Sequence, residues 1–170
     1  EDASHWSAAS RIQALSDFSG LLREPSPEAI RRLSAGWVAA GPSPHAGYVE
    51  LVAETPFVLE AFFALSDAAI GPIRDFVVDS AAGMARFVAR TSEQGELRLH
   101  DLSELRDYCY MVAGLVGEML TELFVVAAPK LLPIAPYLRE RARLFGEGLQ
   151  LVNILKDSEA DAKEGRGYLP

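Results

Sequence analysis

Apolar residues recur at helical spacing along most of the chain, and no stretch alternates strictly between polar and apolar positions. A repeat of about 3.6 residues is typical of amphipathic helices, whereas a half-buried strand repeats every two residues. The pattern predicts helices over residues 5–22, 28–40, 47–65, 66–90, 101–128 and 137–162. We expect a kink or break near Gly71-Pro72, because proline lacks an amide donor and crowds the preceding turn. The predicted fold class is all-α, in one domain over residues 1–170.

Turn-forming and capping residues mark the ends of these helices. Pro27 suits the first turn of the second helix, and the segment 41–45 is expected to connect two helices within one domain. A polar loop over 91–100 precedes Asp101 and Ser103, either of which is a candidate N-cap. Pro129 is expected to end the fifth helix.

Composition supports this picture and excludes several classes of protein. The chain contains 25 Ala and 22 Leu but only 3 Thr, which favours helices over strands. Its 170 residues suffice for one domain with a core. A net charge of −8 argues against a nucleic-acid surface, because phosphate backbones require clustered Lys and Arg. The single cysteine, Cys109, excludes a disulfide framework and a cysteine-rich zinc site, and suits a reducing compartment.

The chain has no run of 18 consecutive apolar residues. The longest candidate, 123–136, is interrupted by Lys130 and by three prolines, so no membrane span is predicted. No signal-peptide pattern opens the chain, and we expect a cytoplasmic protein. Because the chain starts abruptly at Glu1 and stops at Pro170 without a tail, we expect it to be a piece of a longer one.

The segment 145–161 carries the most informative polar residues. At about 100° per residue, Gln150, Asn153, Asp157 and Asp161 form one stripe on a helix that is otherwise mostly apolar. We therefore expect the stripe to face inward or to line a cavity. Carboxylates four residues apart repel each other, and a divalent cation removes that penalty. The stripe is either a solvated acidic face or a Mg²⁺ site that holds a diphosphate, and the amides favour the second interpretation.

A second informative segment covers residues 108–118. Tyr110, Ala113, Gly114, Gly117 and Thr121 share one side of the predicted helix. A glycine inside a helix costs about 1 kcal/mol relative to alanine, so two of them indicate that a neighbouring helix approaches closely. By itself the segment is more typical of a core than of a cofactor site. The thiol within it is expected to be a buried small hydrophobe rather than a nucleophile.

These segments resemble the squalene/phytoene synthase family. The resemblance rests on residues 108–114 followed by Gly117, on 150–161, and on 164–170, while 83–87 resembles the squalene synthase branch. It covers most of the chain. It implies an all-helical isoprenoid-synthase fold around a central cavity, incomplete here at both ends, in which two aspartate-rich motifs hold Mg²⁺ and two prenyl diphosphates.

The resemblance assigns the metal ligands. Asp157 and Asp161 match the second aspartate-rich motif, and Asn153 matches a polar residue one turn before it. Glu1-Asp2 matches the last two residues of the first motif, whose leading aspartate is absent from this chain. The implied Mg²⁺ ligands are therefore Asp2, Asn153, Asp157 and Asp161.

The resemblance also assigns substrate-binding and catalytic residues. Gln150, Asn153, Lys156 and Arg166 are expected to bind the diphosphates. Tyr108 matches a tyrosine that is implicated in ionisation and rearrangement, and it is expected to be catalytic together with the two aspartates of the second motif.

The activity implied is head-to-head condensation of two prenyl diphosphates through a cyclopropyl intermediate, with squalene made from farnesyl diphosphate as the leading product. The alternatives are a phytoene or dehydrosqualene synthase, or a non-catalytic relative that acts as an assembly factor. The implied cofactors are Mg²⁺ and, if squalene is the product, NADPH. The expected partners are prenyl diphosphates and no nucleic acid, and a hydrocarbon product is compatible with peripheral association with a membrane.

Overall fold

The computed structural model describes Ala3 and residues 5–92, 97–163 and 167–170, with side chains omitted over 160–163. The described residues are helical apart from loops and one isolated bridge between Arg98 and Gly167, so the all-α prediction is confirmed. The α-helices, in chain order, are α1 (Ala8–Arg23), α2 (Pro27–Ala39), α3 (Ala46–Ala53), α4 (Thr55–Phe63), α5 (Asp67–Val88), α6 (Leu102–Cys109), α7 (Leu115–Ala127) and α8 (Ala135–Lys163).

Polar side chains cap several of these helices, at Asp101 as the sequence predicts. Ser7 and Ser26 accept hydrogen bonds from backbone amides in the first turns of α1 and α2. Asp101 does the same for α6, whereas Ser103 lies inside that helix. Each cap satisfies an amide that has no partner within its helix. Pro27 occupies the first position of α2, where its missing amide costs nothing.

The predicted helix over 47–65 is wrong in one respect, because it is two helices. Pro56 lies in the first turn of α4 and has no amide to continue the hydrogen-bond ladder from α3. The carbonyl of Val52 accepts instead from the hydroxyls of Ser34 and Thr55, at 2.7 Å and 2.8 Å. Two side chains thus stabilise the break between α3 and α4, which apolar periodicity did not reveal.

The break expected near Gly71-Pro72 is also misplaced. It falls at residues 64–66, and α5 runs continuously through Pro72. Since Pro72 is only the sixth residue of α5, it interrupts the ladder near the helix start, and the rest of the helix is retained.

The helix predicted over 101–128 contains a change of pitch. A π-helical turn over Tyr110–Gly114 separates α6 from α7, and Pro129 ends α7 and opens a short 3₁₀ turn, as expected. Single π turns inside α-helices are frequently found at functional sites. This one lies in the glycine-containing segment that the sequence singled out.

The segment formed by α6, the π turn and α7 packs antiparallel against α8. Contacts pair Glu122 with Arg139, and residues 117 with 142 and 113 with 146, so numbers rise on one side as they fall on the other. A Cβ on Gly117 would meet the backbone of Ala142, and a Cβ on Gly146 would meet that of Ala113. The close helix approach that the glycines predicted is therefore confirmed.

The absence of a membrane span stays a prediction, although one segment is long and apolar enough to be a candidate. Residues 102–127, taken as one helix, meet that test by length and composition. Searching for consecutive apolar residues overlooked this segment, because scattered acidic residues interrupt its runs. The core helix of a soluble protein passes the same test, and this segment packs against α5 and α8.

Two clusters of buried residues form the core of the described chain. One joins α1, α2, α4 and α5 through Leu21, Leu22, Ile30, Leu59 and Val78. The other surrounds Tyr108 and comprises Phe87, Leu97, Leu99, Leu105, Tyr108, Cys109, Ile154 and Tyr168. The second cluster joins α5, α6 and α8 to the segment after α8, and it includes the buried thiol that the sequence predicted. Burial raises the pKa of the Cys109 thiol, with a further contribution from the negative charge of Glu147, which disfavours the nucleophilic thiolate.

Candidate functional site

The structure places the predicted polar stripe on the outer flank of α8. Gln150 is half-buried, whereas Asn153 and Asp157 are exposed, and the side chain of Asp161 lies outside the described residues. Of the two expectations for the stripe, an inward position is wrong for Asn153 and Asp157, and a position along a cavity stays a prediction. The buried line on this part of α8 passes instead through Ile154, which packs into the core cluster.

Large apolar side chains next to this stripe are exposed as well. On α8 these are Phe145, Leu149 and Val152, and the ring of Phe145 is the most open at 68%. On α7, Val116, Leu120 and Phe124 are exposed at a spacing of four residues, which places them along one side of that helix.

These six exposed apolar residues lie on the same side of the helix pair, whereas Val126 of α7 and Leu144, Leu151 and Leu155 of α8 are exposed on other sides of their helices. Viewed along the axis of α7, Val116, Leu120 and Phe124 lie within about 100° of Gly117, the residue that contacts α8. All three are rotated from Gly117 in the same direction. On α8, Phe145, Leu149 and Val152 lie within about 80° of Ala142 and about 120° of Gly146, and they are rotated from these contact positions in the same direction. In antiparallel helices, the same rotation away from the contact leads to the same side. We call the surface formed by Val116, Leu120, Phe124, Phe145, Leu149 and Val152 the open face.

The polar stripe borders the open face. Asn153 and Asp157 continue the line of Ala142 and Gly146 along α8, and Asn153 lies one turn after Leu149 of the open face. Lys156 is exposed, and its Nζ lies 4.0 Å from Oδ1 of Asp157. The structure thus brings an amide, a carboxylate and an ammonium group to the edge of an apolar surface.

Tyr108 lies inside the core rather than on the open face. Its side chain is 1% exposed, with its ring edge-on to Phe87 at 5.1 Å and stacked on Tyr168 at 4.8 Å between ring centroids. It shares the core cluster with Ile154 of α8. The predicted catalytic tyrosine therefore packs beneath the helix that carries the polar stripe.

Several predicted site residues lie outside the described part of the chain. These are Asp2, Arg166 and the side chain of Asp161. Among the residues that the structure describes, no group of three or more His, Cys, Asp or Glu side chains is arranged to hold a metal ion. The metal-ligand set is therefore represented here by Asn153 and Asp157.

These two residues fit the chemistry of a magnesium site in part. Amide and carboxylate oxygens are ligands that Mg²⁺ accepts, and both groups are accessible on one flank of α8. Mg²⁺ requires octahedral coordination and commonly keeps waters and substrate phosphates in it, so two protein oxygens can form part of such a shell.

Sequence reasoning missed a polar network between α7 and α8. The hydroxyl of Tyr110 donates to Glu118 Oε2 at 3.1 Å, and the guanidinium of Arg143 lies 4.1 Å from the centroid of the Tyr110 ring. Arg143 Nε also donates to Glu147 at 2.7 Å. The spacing of Arg143 and Glu147 is visible in the sequence as an i,i+4 pair, but the contact with Tyr110 depends on helix packing. The network fixes the register of the two helices that carry the open face.

Charges and burial in this network shift the pKa values of its members. The pKa of Tyr110 is raised by burial and then by the negative charge of Glu118, while Arg143 opposes that shift. The pKa of Arg143 is raised by its hydrogen bond to Glu147. Tyr110 therefore remains a neutral hydrogen-bond donor at neutral pH.

Comparison with known proteins gives a consistent set of relatives. The model of the squalene/phytoene synthase family matches residues 2–170. Squalene synthase from Mycosarcoma maydis is 30% identical over 166 residues, which is 96% of this chain and 26% of that protein. Botryococcus squalene synthase from Botryococcus braunii is 32% identical over 117 residues, covering 69% of this chain and 24% of that protein.

A relative of another type is similar over a shorter stretch. The bifunctional lycopene cyclase/phytoene synthase from Phaffia rhodozyma is 43% identical over 72 residues, which is 40% of this chain and 11% of that protein. The chain thus spans about a quarter, or less, of the length of these relatives.

Proposed function

Because the chain belongs to the squalene/phytoene synthase family, we propose that the protein containing it joins two prenyl diphosphates head to head. Farnesyl diphosphate is the proposed substrate and squalene the proposed product. The observation that supports this proposal best is the open face, an exposed apolar surface that ends at Asn153 and Asp157. A surface that is apolar along its length and oxygen-rich at one end suits a hydrocarbon chain with a diphosphate head.

The open face is proposed to form one wall of the cavity for the prenyl chains. Contiguous exposed apolar surfaces usually mark binding sites. A carbocation formed in this chemistry survives only where water is excluded, which is what side chains such as Phe124 and Phe145 would do. The remaining walls would come from the three quarters of the relatives' length that this chain does not span.

Asn153, Asp157 and Asp161 are proposed to hold Mg²⁺ from α8, with Asp2 contributing from the first motif. When bound, Mg²⁺ would neutralise the diphosphate as the carbon–oxygen bond of the substrate breaks. With a metal ion between the two anionic groups, the carboxylates of α8 would also orient the diphosphate end of the substrate, so that its hydrocarbon chain lies along the open face.

The other assigned residues act on the two ends of the substrate. Gln150, Lys156 and Arg166 are proposed to donate hydrogen bonds to diphosphate oxygens, the cations adding charge complementarity. Tyr108 is proposed to act in ionisation and rearrangement, where its ring can stabilise a cationic centre. Since Tyr108 is enclosed by Phe87 and Tyr168, direct contact with substrate requires that stack to open.

Squalene is favoured over the other products of the family. The relatives aligned over most of the chain are named squalene synthases, whereas the phytoene synthase relative covers 40% of it. Formation of squalene consumes a hydride, for which NADPH is the proposed donor. A phytoene or dehydrosqualene synthase would complete the reaction without reduction. Retention of Asn153 and Asp157 argues against a non-catalytic assembly factor. Peripheral association with a membrane is proposed because the product is a hydrocarbon.

The test is product analysis with the full-length protein. Farnesyl diphosphate and Mg²⁺ are supplied with and without NADPH, and the extracted hydrocarbons are identified. We expect squalene only when NADPH is present. Dehydrosqualene in its place would assign the alternative product, and the absence of any condensation product would contradict the proposal.

A matched pair of variants tests the role of the stripe. Asp157→Asn should lower turnover at least about a hundredfold, because a metal-binding carboxylate is lost. Glu159→Gln removes an exposed carboxylate from another side of α8 and should leave turnover near that of the wild type. Equal turnover of Asp157→Asn and wild type at saturating Mg²⁺ would remove Asp157 from the metal site.

A further inference from the structure

A separate apolar cavity of about 470 Å³ lies between α1, α2, α3 and α5. Its volume is in the range of small-molecule sites. Large apolar side chains form much of its wall, namely Trp6, Leu15, Phe18, Trp37, Tyr48 and Met84. None of the open-face residues lines it, nor do Asn153 and Asp157. The cavity is therefore distinct from the site of the proposed function.

One charged side chain belongs to the described lining of this cavity, that of Arg11. Its Nε is buried and has no hydrogen-bond partner among the residues that the structure describes. A buried donor on a charged group is costly to leave unpaired, and such groups are rare in folded proteins. With no carboxylate in the described lining, the positive charge lacks a partner within the cavity.

Part of the cavity wall follows one face of α1. Arg11, Leu15 and Phe18 are spaced at i, i+4 and i+7, which places them on one face of the helix over about 10 Å of its axis. Leu15, Phe18 and Met84 also line an adjoining cavity of about 230 Å³ that extends toward α7. The apolar volume therefore continues past Phe18, at the end of the cavity away from Arg11.

We propose that this cavity binds a linear hydrocarbon chain that ends in a single anionic group, a carboxylate or a phosphate. An oxygen of that group accepts the hydrogen bond that Arg11 Nε lacks and balances the guanidinium charge. The hydrocarbon chain packs along Leu15 and Phe18 and is covered by the aromatic wall. The proposal stands independently of the one for the open face, because no open-face residue lines the cavity of about 470 Å³, and of the open-face residues Val116 alone lines the adjoining one.

Intrinsic fluorescence provides a direct test. Trp6 and Trp37 both line the cavity and are the two tryptophans of the chain. The full-length protein and its Trp6→Phe/Trp37→Phe variant, in which a signal from this cavity should be lost, are titrated without Mg²⁺ with dodecanoate, dodecyl phosphate or dodecanol, each kept below the concentration at which it aggregates. We expect a saturable emission change with the anions and at least about tenfold weaker binding of dodecanol. The tighter of the two anions identifies the head group. Equal binding of dodecanol and both anions, or no saturable change, would overturn the proposal.

Variants locate the bound ligand. Arg11→Met keeps the length of the side chain but removes its charge, and should abolish the preference for anions over dodecanol. Arg23→Met changes an exposed arginine at the other end of α1 and should bind as the wild type does. Ala14→Leu narrows the cavity and should weaken all three ligands, which provides a second test if Arg11→Met fails to fold. Unchanged affinity for dodecanoate in a folded Arg11→Met or Ala14→Leu variant would place the ligand elsewhere. Asp157→Asn should bind these probes normally, whatever its effect on turnover.

Discussion

Tyr108 and Tyr168 stack with ring centroids 4.8 Å apart and planes 29° from parallel, although 60 residues separate them in the sequence. Two backbone hydrogen bonds hold Gly167 against the loop that precedes α6. Gly167 N donates to Leu97 O at 2.8 Å, and Leu99 N donates to Gly167 O at 3.0 Å. The segment after α8 is thereby fixed over the ring of Tyr108. A tyrosine with a proposed chemical role is therefore also a centre of packing.

Tyr108→Phe should separate these two roles. The ring and its contacts with Phe87 and Tyr168 remain, so the free energy of unfolding should fall by no more than about 1.5 kcal/mol, the value of a buried hydrogen bond. Turnover should fall much more than substrate affinity if the hydroxyl acts in the chemistry. Chemical denaturation and steady-state kinetics on the same preparation measure both quantities.

Tyr108→Ala provides the comparison for the Tyr108→Phe measurement. Loss of a ring that is 1% exposed should cost about 3–5 kcal/mol of stability, because it leaves a cavity in the core. Wild-type turnover in the Phe variant, together with this large loss in the Ala variant, would assign Tyr108 a structural role alone.

Gly117→Ala and Gly146→Ala should each destabilise the protein by about 1–3 kcal/mol, as overpacking does. The new methyl group on residue 117 would meet the carbonyl carbon of Ala142 at 2.9 Å, and that on residue 146 would meet the carbonyl carbon of Ala113 at 2.8 Å. Backbone cannot move aside as a flexible side chain can, so the helices must separate. Urea denaturation measures the loss.

Gly148→Ala is the matched control on α8. A methyl group at residue 148 would meet nothing within 4 Å, so alanine should stabilise the protein by up to about 1 kcal/mol through helix propensity alone. The stability changes expected for alanine at residues 146 and 148 have opposite signs, because α7 approaches α8 closely at residue 146 and not at residue 148. A gain of stability in all three variants would contradict the packing described for Gly117 and Gly146.

Glu122→Gln should make the free energy of unfolding vary less with pH in the acid range. Arg139 donates two hydrogen bonds to the Glu122 carboxylate, one of them from Nη2 at 2.9 Å, and these bonds lower its pKa against the opposing effect of burial. A carboxyl whose pKa is lower in the folded state stabilises the protein above its unfolded pKa. That contribution is lost as the pH falls through the folded value. Because Arg139 is 42% exposed, we expect about 0.5–1 kcal/mol at neutral pH.

Thermal unfolding between neutral and strongly acid pH measures this contribution. The difference between the wild type and Glu122→Gln should be present at neutral pH and vanish at the acid end. Glu140→Gln, which alters an exposed pair with the adjacent Arg141, should change stability by less than about 0.5 kcal/mol throughout. A difference for Glu122→Gln that persists at the acid end would mean that the ion pair is not its source.

Local sequence signals determined the helices and many of their ends. Apolar periodicity identified the helical segments, and the caps at Ser26-Pro27 and Asp101 depend on side chains next to the amides they satisfy. The same information failed at Pro56 and Pro72, where the effect of a proline depends on its distance from a helix start. The clustering of Gly114 and Gly117 also predicted a close helix approach, since glycine is otherwise unfavourable in a helix.

The sequence by itself determined the all-α class, the family resemblance, and the alignment of Gln150, Asn153, Asp157 and Asp161 along α8, because helical geometry and short motifs are local properties. Only the tertiary structure decided which side of α8 packs against the core. Ile154 contacts the core while Asn153 and Asp157 stay exposed, since the register of α8 against α7 is set by contacts such as those of Gly117 with Ala142. Such contacts join residues far apart in sequence, so no local pattern encodes them.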